Sequence, residues 1–377
     1  MKKFLSLIIS GLITVMSIPC AFAEDTLNLS CPSAILMDSE TGKILYEKDS
    51  HMQLAPASVT KIMTMLLAME KIDSNGMKYT DMITGSAHAK EMGGSTIFLD
   101  EGESLSVTDI LKGIAVASGN DAAVAMAEHI GGSEENFVQM MNKKSKQLGM
   151  KNTHFVNCNG LDTDGHYSCA YDIALMSKEL MKHKDIFKFT TIWMDSLRDG
   201  KFTLSNTNKL IRFYDGATGL KTGSTDKAKF CVSATAKRGN LHLIAVIMAA
   251  PTSKDRVKDA SQLLNYGFST FNSTTVVKNG ETLKKLPIEK ADKKSVRIVT
   301  AQDFKYIYQK STPPQIKKEV VIKNQPKAPI KKNSTAGEVV VYNGDKEIGR
   351  LPVYYGDNIK KTVPHIMLYK IIKTLYI

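Results

Sequence analysis

The pair Ser58 and Lys61 has the residue types and the spacing of an activated nucleophile. On a helix, residues three apart lie on one face, so the Ser58 hydroxyl and the Lys61 amine can meet. A serine hydroxyl attacks a carbonyl only when a base removes its proton, and a lysine whose pKa is lowered by burial can be that base. The alternative is a helix-capping serine beside a surface lysine, and the pair alone does not decide between them.

Two further polar triplets could complete such a site. Ser118-Gly119-Asn120 lies between two predicted helices, where a hydroxyl and an amide could pass on a proton and hold a substrate carbonyl. Lys221-Thr222-Gly223 precedes a predicted strand and offers a positive charge, a hydroxyl and a glycine that lets a substrate backbone approach a strand edge. Each triplet alone is also typical of an ordinary loop. The three motifs together, separated by about 60 and then about 100 residues, form a specific pattern.

In this order, the motifs resemble those of the penicillin-recognising serine enzymes, S-x-x-K, S-x-N and K-T-G. The surrounding residues are similar to one branch of them, the D-alanyl-D-alanine carboxypeptidases or low-molecular-mass penicillin-binding proteins. The resemblance is strong over about residues 30–270. The segments that carry it are Ala55–Lys61, Ala117–Ala122, Asn159–Asp162, Gly165–Ser168 and Gly219–Thr225.

The resemblance implies a serine carboxypeptidase that removes the terminal D-alanine from peptidoglycan stem pentapeptides and is acylated by β-lactam antibiotics such as penicillins. Ser58 would attack the carbonyl between the two D-alanines and form an acyl-enzyme, with Lys61 as the base. Ser118 would pass a proton to the leaving nitrogen, Asn120 would bind the substrate's peptide group, and Lys221 would add positive charge near both. No cofactor is implied.

The resemblance also implies a substrate-binding set formed by Thr222, Gly223, Ser224 and Arg256. Thr222 and Arg256 would hold the terminal carboxylate, a group that a bidentate arginine suits. The backbone N–H groups of Ser58 and Ser224 would form the oxyanion hole.

Two positions depart from the family's pattern. Ser224 stands where relatives often have histidine, and Thr207 stands where they often have a second basic residue, which leaves the fine specificity open but not the reaction class. His166 is expected to hydrogen-bond within a structural loop. The eight histidines show no metal-binding spacing, so no metal site is predicted.

Other functions of the same fold remain to be weighed. A class A β-lactamase usually has an aspartate at the position of Gly119 and a deacylating glutamate, and no Glu-x-x-Leu-Asn segment lies between the second and third motifs of this sequence. A DD-endopeptidase would cut cross-links with the same site and stays open as an alternative. A non-catalytic wall-binding protein would not need an intact Ser58 and Lys61.

Apolar periodicity and turn signals indicate the elements that must position these residues. Ser33–Met37 and Lys43–Glu47 are predicted to form a β-hairpin. Further strands are predicted at Lys229–Thr235 and Leu241–Met248, and helices at Ala57–Ile72, from a Ser106 cap to about Ser118, and at Asp121–Ile130, Glu134–Leu148, Ala170–His183 and Lys254–Phe268. Helices between groups of strands favour an α+β fold. The resemblance makes this a penicillin-binding/serine β-lactamase-like domain, with an antiparallel sheet flanked by helices.

Composition divides the 377 residues into four parts. Residues 1–23 have the basic start, apolar core and small-x-small end of a secretory signal peptide, with an uncleaved anchor helix as the alternative. Residues 24–273 are the expected catalytic domain. Residues 274–357 are an expected small all-β domain, in which Asn343-Gly344 suits a type I′ turn. Residues 358–377 form an amphipathic tail, expected to be a membrane-anchoring helix or, alternatively, a helix packed on the β domain.

The charge is distributed unevenly between these parts. Residues 1–277 carry 29 basic and 29 acidic residues, whereas residues 278–377 carry 21 basic and 9 acidic residues, which is the whole net charge of +12. A nucleic-acid partner is not expected for an exported chain. The basic third therefore predicts an anionic membrane surface, or the acidic wall polymer nearby, as a partner. The expected location is the outer face of the cytoplasmic membrane.

The cysteines give little evidence for a disulfide framework. Four remain after the predicted cleavage, with no C-x-x-C spacing: Cys31, Cys158, Cys169 and Cys231. They are expected to be small buried side chains with at most one disulfide.

Overall fold

In the computed structural model, which describes residues 27–362, strands and helices alternate in groups along the chain. The strands are β1 (Ser33–Asp38), β2 (Ile44–Lys48), β3 (Met82–Thr84), β4 (Ser104–Ser106), β5 (Met194–Leu197), β6 (Phe202–Ser205), β7 (Ala217–Thr225), β8 (Lys229–Arg238), β9 (Leu241–Ala250), β10 (Phe271–Val277), β11 (Thr282–Pro287), β12 (Ser295–Thr300), β13 (Phe304–Gln309), β14 (Ile316–Ile322), β15 (Thr335–Asn343) and β16 (Lys346–Tyr355). The α-helices are α1 (Lys61–Asp73), α2 (Ala87–Lys90), α3 (Val107–Lys112), α4 (Asn120–Gly131), α5 (Glu134–Gln147), α6 (Ala170–Leu180), α7 (Phe187–Thr190), α8 (Leu210–Phe213) and α9 (Ser253–Thr270). Short 3-10 helices occupy Ala57–Thr60 and Lys184–Ile186, and a π-helix occupies Gly113–Ala117.

The main sheet has the strand order β2-β1-β9-β8-β7, and every neighbouring pair is antiparallel. Successive side chains of a strand point to opposite faces. On β9, Ile244 and Val246 therefore join the core that contains α1, α4 and α6, whereas Leu243 and Ala245 join the core that contains α9. This confirms the expected antiparallel sheet flanked by helices. It also leaves β7, which carries Lys221-Thr222-Gly223, as an edge strand.

The predicted helices are present, with shifts of up to three residues at their ends and a change of helix type in two of them. Ser106 caps α3 as expected, because its hydroxyl accepts the Asp109 N–H at 3.1 Å. The α-helix then passes into the π-helix, which ends at Ser118. The helix predicted from Ala57 begins instead as a 3-10 turn, and α-helical geometry starts only at Lys61.

The second group of strands contains no helix between Phe271 and Thr362. Strands β10 and β13 pair, and the other five form a sheet in the order β11-β12-β16-β15-β14. The predicted β15–β16 hairpin is confirmed, but its turn differs from the prediction. Asn343 pairs with Lys346, so Gly344 and Asp345 are the central residues. Of these two, Gly344 alone has positive φ, which excludes the expected type I′ turn.

Polar contacts connect the two groups of strands, and two of them come from the turn between β1 and β2. Lys43 Nζ donates to the Ile307 carbonyl at 3.1 Å, and Glu40 pairs with Lys305. Residues 358–362, the first part of the predicted tail, lie against the second sheet, where Ile359 is buried and bridges to Ile330. The predicted signal peptide and the rest of the predicted tail lie outside the described residues, and the predicted domain boundaries stay predictions. Within residues 27–362, no helix combines the length and apolarity needed to cross a bilayer.

Candidate active site

The 3-10 turn before α1 presents Ser58 half-buried at its surface. Ala57, directly before it, has φ of 47°, a left-handed conformation that is unfavourable for a residue with a Cβ atom. Such strain is held only where the surrounding structure fixes it, and it is concentrated at functional sites. The turn places the Ser58 hydroxyl oxygen 2.9 Å from the Lys61 amine nitrogen. The contact predicted from the spacing is therefore formed.

Lys61 is completely buried, and its amine has three hydrogen-bond partners. These are Ser58 Oγ at 2.9 Å, Asn120 Oδ1 at 2.6 Å and the Asn159 carbonyl oxygen at 2.7 Å. Burial lowers the pKa of Lys61 from its ordinary value to about 7, because the charged form loses its hydration. A neutral amine has two N–H bonds and one lone pair. With the N–H bonds given to Asn120 and Asn159, the lone pair faces the Ser58 hydroxyl.

The second motif lies where the π-helix meets α4. Ser118 is buried and has φ of 66°, and Asn120 is the first residue of α4. The Asn120 amide is fixed on both sides: its oxygen accepts from Lys61, and its nitrogen donates to the Gly93 carbonyl at 2.7 Å. These two hydrogen bonds determine which end of the amide is the oxygen and which is the nitrogen. The motif therefore brings its amide into direct contact with Lys61.

The third motif contributes a second buried amine. Lys221 is 1% exposed, and its amine donates to the Thr222 carbonyl at 2.8 Å. Burial, followed by the positive charges of Lys61 and Arg256, holds the pKa of Lys221 well below its ordinary value. The Thr222 hydroxyl donates to the hydroxyl oxygen of Thr207 at 2.7 Å.

Gly223 explains why this motif ends in glycine. A Cβ atom built there would lie 2.7 Å from the Ser58 backbone nitrogen and 2.9 Å from that of Val59. Any side chain would push the strand away from the nucleophile turn. The close approach also brings Ser224, which is exposed at the free edge of β7, next to Ser58.

Arg256, near the start of α9, hydrogen-bonds to the backbone of β7 and β8. One guanidinium nitrogen donates to the carbonyls of Gly223 and Cys231, at 3.2 and 3.3 Å, and another donates to Ser253 Oγ at 3.3 Å. Burial lowers the pKa of Arg256 from its ordinary value. The side chain supports the third motif through the Gly223 carbonyl, whereas its Nε is buried without a hydrogen-bond partner among the described residues. Its expected contact with a substrate carboxylate stays a prediction.

Two residues of the site had no role assigned by sequence reasoning. Asn159 supplies the third acceptor for Lys61 through its backbone, which no side-chain pattern reveals. The neighbouring Gly160 is the sequence feature that marks this close backbone contact, since its φ is 88° and a Cβ atom there would lie 1.9 Å from the Ala57 carbonyl oxygen. Thr207, noted only as a departure from the family, lies directly against Thr222.

His166 has the structural role that was expected. Its Nδ1 accepts the Val156 N–H at 3.1 Å, so Nε2 carries the proton and faces Thr60 Oγ1 at 2.9 Å. Burial, with the charge of His154 as a smaller cause, lowers the pKa of His166 to about 4 and keeps the ring neutral.

The four cysteines of the described residues are core side chains, and Cys158 lies close enough to Lys61 for their charges to interact. All four in the described part of the chain are free and buried, as small core side chains. No group of three histidine, cysteine or acidic side chains among residues 27–362 is arranged to hold a metal ion.

Two family profiles match the chain over nearly all of the described residues. The one described as D-alanyl-D-alanine carboxypeptidase, Peptidase S11, matches residues 20–252, and the one described as penicillin-binding protein 5, C-terminal domain, matches residues 271–361. Among curated proteins, D-alanyl-D-alanine carboxypeptidase DacF of Bacillus subtilis is 44% identical over 371 residues, covering 96% of this chain and 95% of its own. DacD of Escherichia coli is 34% identical over 364 residues, covering 92% and 93%.

Solved structures agree with these matches. Penicillin binding protein 5 of Haemophilus influenzae superposes with a TM-score of 0.76 at 30% identity, covering 89% of this chain and 99% of that one. Penicillin-binding protein D2 of Listeria monocytogenes, in its ampicillin-bound form, has a TM-score of 0.59 at 31% identity and covers 64% and 99%. The resemblance drawn from the three motifs is therefore confirmed, and the chain belongs to the D-alanyl-D-alanine carboxypeptidase family.

Proposed function

We propose that this protein is a serine-type D-Ala-D-Ala carboxypeptidase that trims the terminal D-alanine from peptidoglycan stem pentapeptides. The observation that carries the proposal is the contact between Lys61 Nζ and Ser58 Oγ, at 2.9 Å, with both other acceptors of the amine fixed by the fold. A buried amine with a pKa of about 7 is available as a neutral base near neutral pH.

The reaction follows from this arrangement in two halves. Lys61 removes the Ser58 hydroxyl proton as Oγ attacks the carbonyl carbon between the two D-alanines. The C–N bond then breaks, and the leaving D-alanine nitrogen takes a proton through Ser118. Water hydrolyses the resulting ester, which releases the shortened peptide and restores the Ser58 hydroxyl. Backbone N–H groups of Ser58 and Ser224 stabilise the oxyanion in both halves.

The charges of the site favour a substrate that ends in a carboxylate. Lys221 lies close enough to Arg256, and to Lys61 when that amine is protonated, for their positive charges to interact. Neither Lys221 nor Arg256 forms an ion pair with a carboxylate of residues 27–362. Positive charges that lie close together repel one another, and the negative charge of a bound carboxylate offsets this repulsion. The free edge of β7 can pair with an extended peptide backbone, with Asn120 facing its amide groups.

β-Lactams fit the same reaction, because their strained amide presents an acylable carbonyl next to a carboxylate. The related Listeria protein has been seen with ampicillin bound. We infer that penicillins acylate Ser58 and that the ester then hydrolyses slowly. β-Lactam antibiotics would thus act as inhibitors of this enzyme.

The proposal is tested with labelled penicillin and a pentapeptide ending in D-Ala-D-Ala. We expect a long-lived label on the peptide that contains Ser58, release of free D-alanine, and loss of that release after penicillin treatment. Mass spectrometry of a digest locates the label, and a D-amino-acid assay follows the release. Rapid penicillin turnover without D-alanine release would favour a β-lactamase, and release from cross-linked dimers alone would favour a DD-endopeptidase. If the protein neither reacts with penicillin nor releases D-alanine from any of these peptides, an enzymatic role is contradicted.

For the location of this activity, we propose the outer face of the cytoplasmic membrane, with a patch of the second domain against anionic lipid. Backbone contacts bring residues 288–294, 326–333 and 356–362 together, with bridges from Ala291 to Lys361 and from Ile330 to Ile359. Eight exposed lysines of these segments, here called the lysine patch, are Lys290, Lys293, Lys294, Lys327, Lys331, Lys332, Lys360 and Lys361. The same segments contain three acidic residues, Glu289, Asp292 and Asp357. The chain continues from this patch into the apolar sequence Ile366–Ile377.

Charge reversal in the lysine patch is expected to weaken membrane binding of the full mature chain. Each lysine near an anionic surface contributes about 1 kcal/mol, so the double variant Lys327→Glu, Lys361→Glu should bind roughly tenfold or more weakly. The measurement is co-sedimentation with phosphatidylcholine vesicles that contain phosphatidylglycerol. The matched control, Lys317→Glu with Lys346→Glu, carries the same charge change at the other end of β15, where Ile316 pairs with Asn343. Equal loss in both variants, or binding indifferent to phosphatidylglycerol, would contradict the proposal.

A further inference from the structure

Asp121, the second residue of α4, carries a buried carboxylate that the proposed reaction does not use. It is 1% exposed and directly follows the second motif. Its Oδ2 accepts the backbone N–H groups of Ile97 and Leu99 at 2.9 and 3.0 Å, and its Oδ1 accepts that of Ala122 at 2.8 Å. Both oxygens act as acceptors, which is the pattern of an ionised carboxylate. The start of α4 therefore holds a buried negative charge.

The segment that Asp121 binds also binds Asn120. The Asn120 backbone N–H donates to the Ser95 carbonyl at 2.7 Å, and its side-chain amide donates to the Gly93 carbonyl at 2.7 Å. The central glycine of the motif leaves room for this arrangement, since a Cβ atom there would lie 2.9 Å from Asp121 Oδ1. Two consecutive residues of α4 thus hold residues 93–99, the segment that orients the Asn120 amide.

Asp121 is also a negative charge that acts on Lys61. Burial is the main cause of the low pKa of Lys61, and the acidic groups that oppose it are Cys158 and then Asp121. Burial, followed by the charge of Glu134, holds the pKa of the Cys158 thiol well above its ordinary value, so that group is neutral where Lys61 titrates. Lys221 is a positive neighbour of Lys61. Of these two acids, Asp121 is therefore the ionised one.

We propose that Asp121 is a positioning residue, which holds residues 93–99 against α4 and stabilises the protonated Lys61 that forms during acylation. A nearby negative charge favours the ammonium group that results when Lys61 takes the Ser58 proton. The charge offsets part of the cost of burying that ammonium, so the amine is a stronger base than burial alone would leave it. This inference rests on the proposed function, because it concerns the base of that reaction.

The test is the pH dependence of the second-order rate constant for penicillin acylation, measured on the full mature chain. Asp121→Asn removes the charge and nearly keeps the shape, so the fall of this rate constant at low pH should move to lower pH by roughly half a unit or more. The rate constant at neutral pH should also decrease, because the amide nitrogen of asparagine cannot accept the N–H bonds that a carboxylate oxygen accepts. Asp121→Glu, which keeps the charge, should not move the fall to lower pH.

Two control variants separate the effect of the charge from that of the packing. Arg198 donates to the Ile97 and Phe98 carbonyls at 3.0 and 2.9 Å, so Arg198→Gln loosens the same segment while the Asp121 charge stays. Its rate constant should decrease without a move of the fall to lower pH. Asp172 is a matched carboxylate, 1% exposed in the first turn of α6, and Asp172→Asn should leave the pH dependence unchanged.

A fall at the wild-type pH in Asp121→Asn would overturn the proposal in favour of a purely structural contact, and so would an equal shift in Asp172→Asn. Thermal unfolding checks that each variant is folded, and Asp121→Ser, which is smaller and also neutral, takes the place of Asp121→Asn if that variant does not fold. The wild-type protein tests the proposed function separately. If it is acylated but releases no D-alanine, that function is refuted, whereas the acylation rate constants still decide the role of Asp121.

Discussion

Replacement of Ser58 by alanine is expected to abolish both penicillin labelling and D-alanine release. The variant removes the oxygen that forms the acyl bond, while Lys61 keeps its contacts with Asn120 and Asn159. Loss of a covalent nucleophile lowers the rate roughly 10⁴-fold or more, and what remains comes from binding and the oxyanion hole. The measurements are the labelled-penicillin band and the rate of D-alanine release from the pentapeptide.

The control for this variant is a serine-to-alanine change away from the site. Ser145 is 2% exposed on α5, and its hydroxyl has a long 3.4 Å contact with the Met150 carbonyl. Ser145→Ala should keep full labelling and release. Because Ser58 lies half-buried on a short turn, Ser58→Ala should unfold at nearly the wild-type temperature. A Ser58→Ala protein that is folded and still releases D-alanine at more than about 1% of the wild-type rate would exclude Ser58 as the nucleophile.

Much of this site could be predicted because its chemistry is local in sequence. Ser58 and Lys61 are three residues apart, and their contact follows from one turn of helical backbone. The second and third motifs are short and keep fixed residue types, so their order along the chain indicated a common site. The sheet and its flanking helices followed from apolar periodicity, as in the alternate faces of β9.

The parts that could not be predicted depend on distant backbone contacts. Lys61 meets the Asn159 carbonyl across 98 residues, and a carbonyl acceptor has no residue-type signal. The full burial of Lys61, which lowers its pKa, likewise arises from the packed domain rather than from its neighbours in sequence. The hydrogen bonds of Arg256 to the Gly223 and Cys231 carbonyls likewise depend on how α9 packs, which no local pattern shows.

Turn geometry was the other source of difference. The 3-10 start at Ala57–Thr60 replaces a regular helix because β7 and the Asn159–Gly160 segment both pack against it, as the close approaches of Gly223 and Gly160 show. In the β15–β16 hairpin, the pairing register selects Gly344 and Asp345 as the central residues, although Asn343-Gly344 has the higher turn propensity. In both cases tertiary contacts override a local preference.

Replacing Lys61 by arginine is expected to lower the acylation rate roughly 10²- to 10⁴-fold, the usual contribution of a general base. A guanidinium stays protonated at every accessible pH, so it keeps the positive charge but cannot accept the Ser58 proton. The readout is the rate constant for penicillin acylation, with folding checked by thermal unfolding. Because an arginine in this fully buried position could also fail to fold, the role of Lys61 needs a second measurement that leaves it in place.

That measurement is the pH dependence of the wild-type enzyme. The neutral form of Lys61 is the active one, and burial lowers its pKa to about 7, so kcat/KM should be at its plateau above that pH and fall about tenfold per unit below it. The Asn120→Asp variant places a carboxylate on the atom that lies 2.6 Å from Lys61 Nζ. An adjacent negative charge favours the protonated amine, so the fall should move to higher pH by roughly one to three units, whatever happens to the plateau. Lys221, whose described hydrogen bond goes to the Thr222 carbonyl, has no such contact with Asn120. If kcat/KM of Asn120→Asp falls at the same pH as that of the wild type, a group other than Lys61 takes the proton from Ser58.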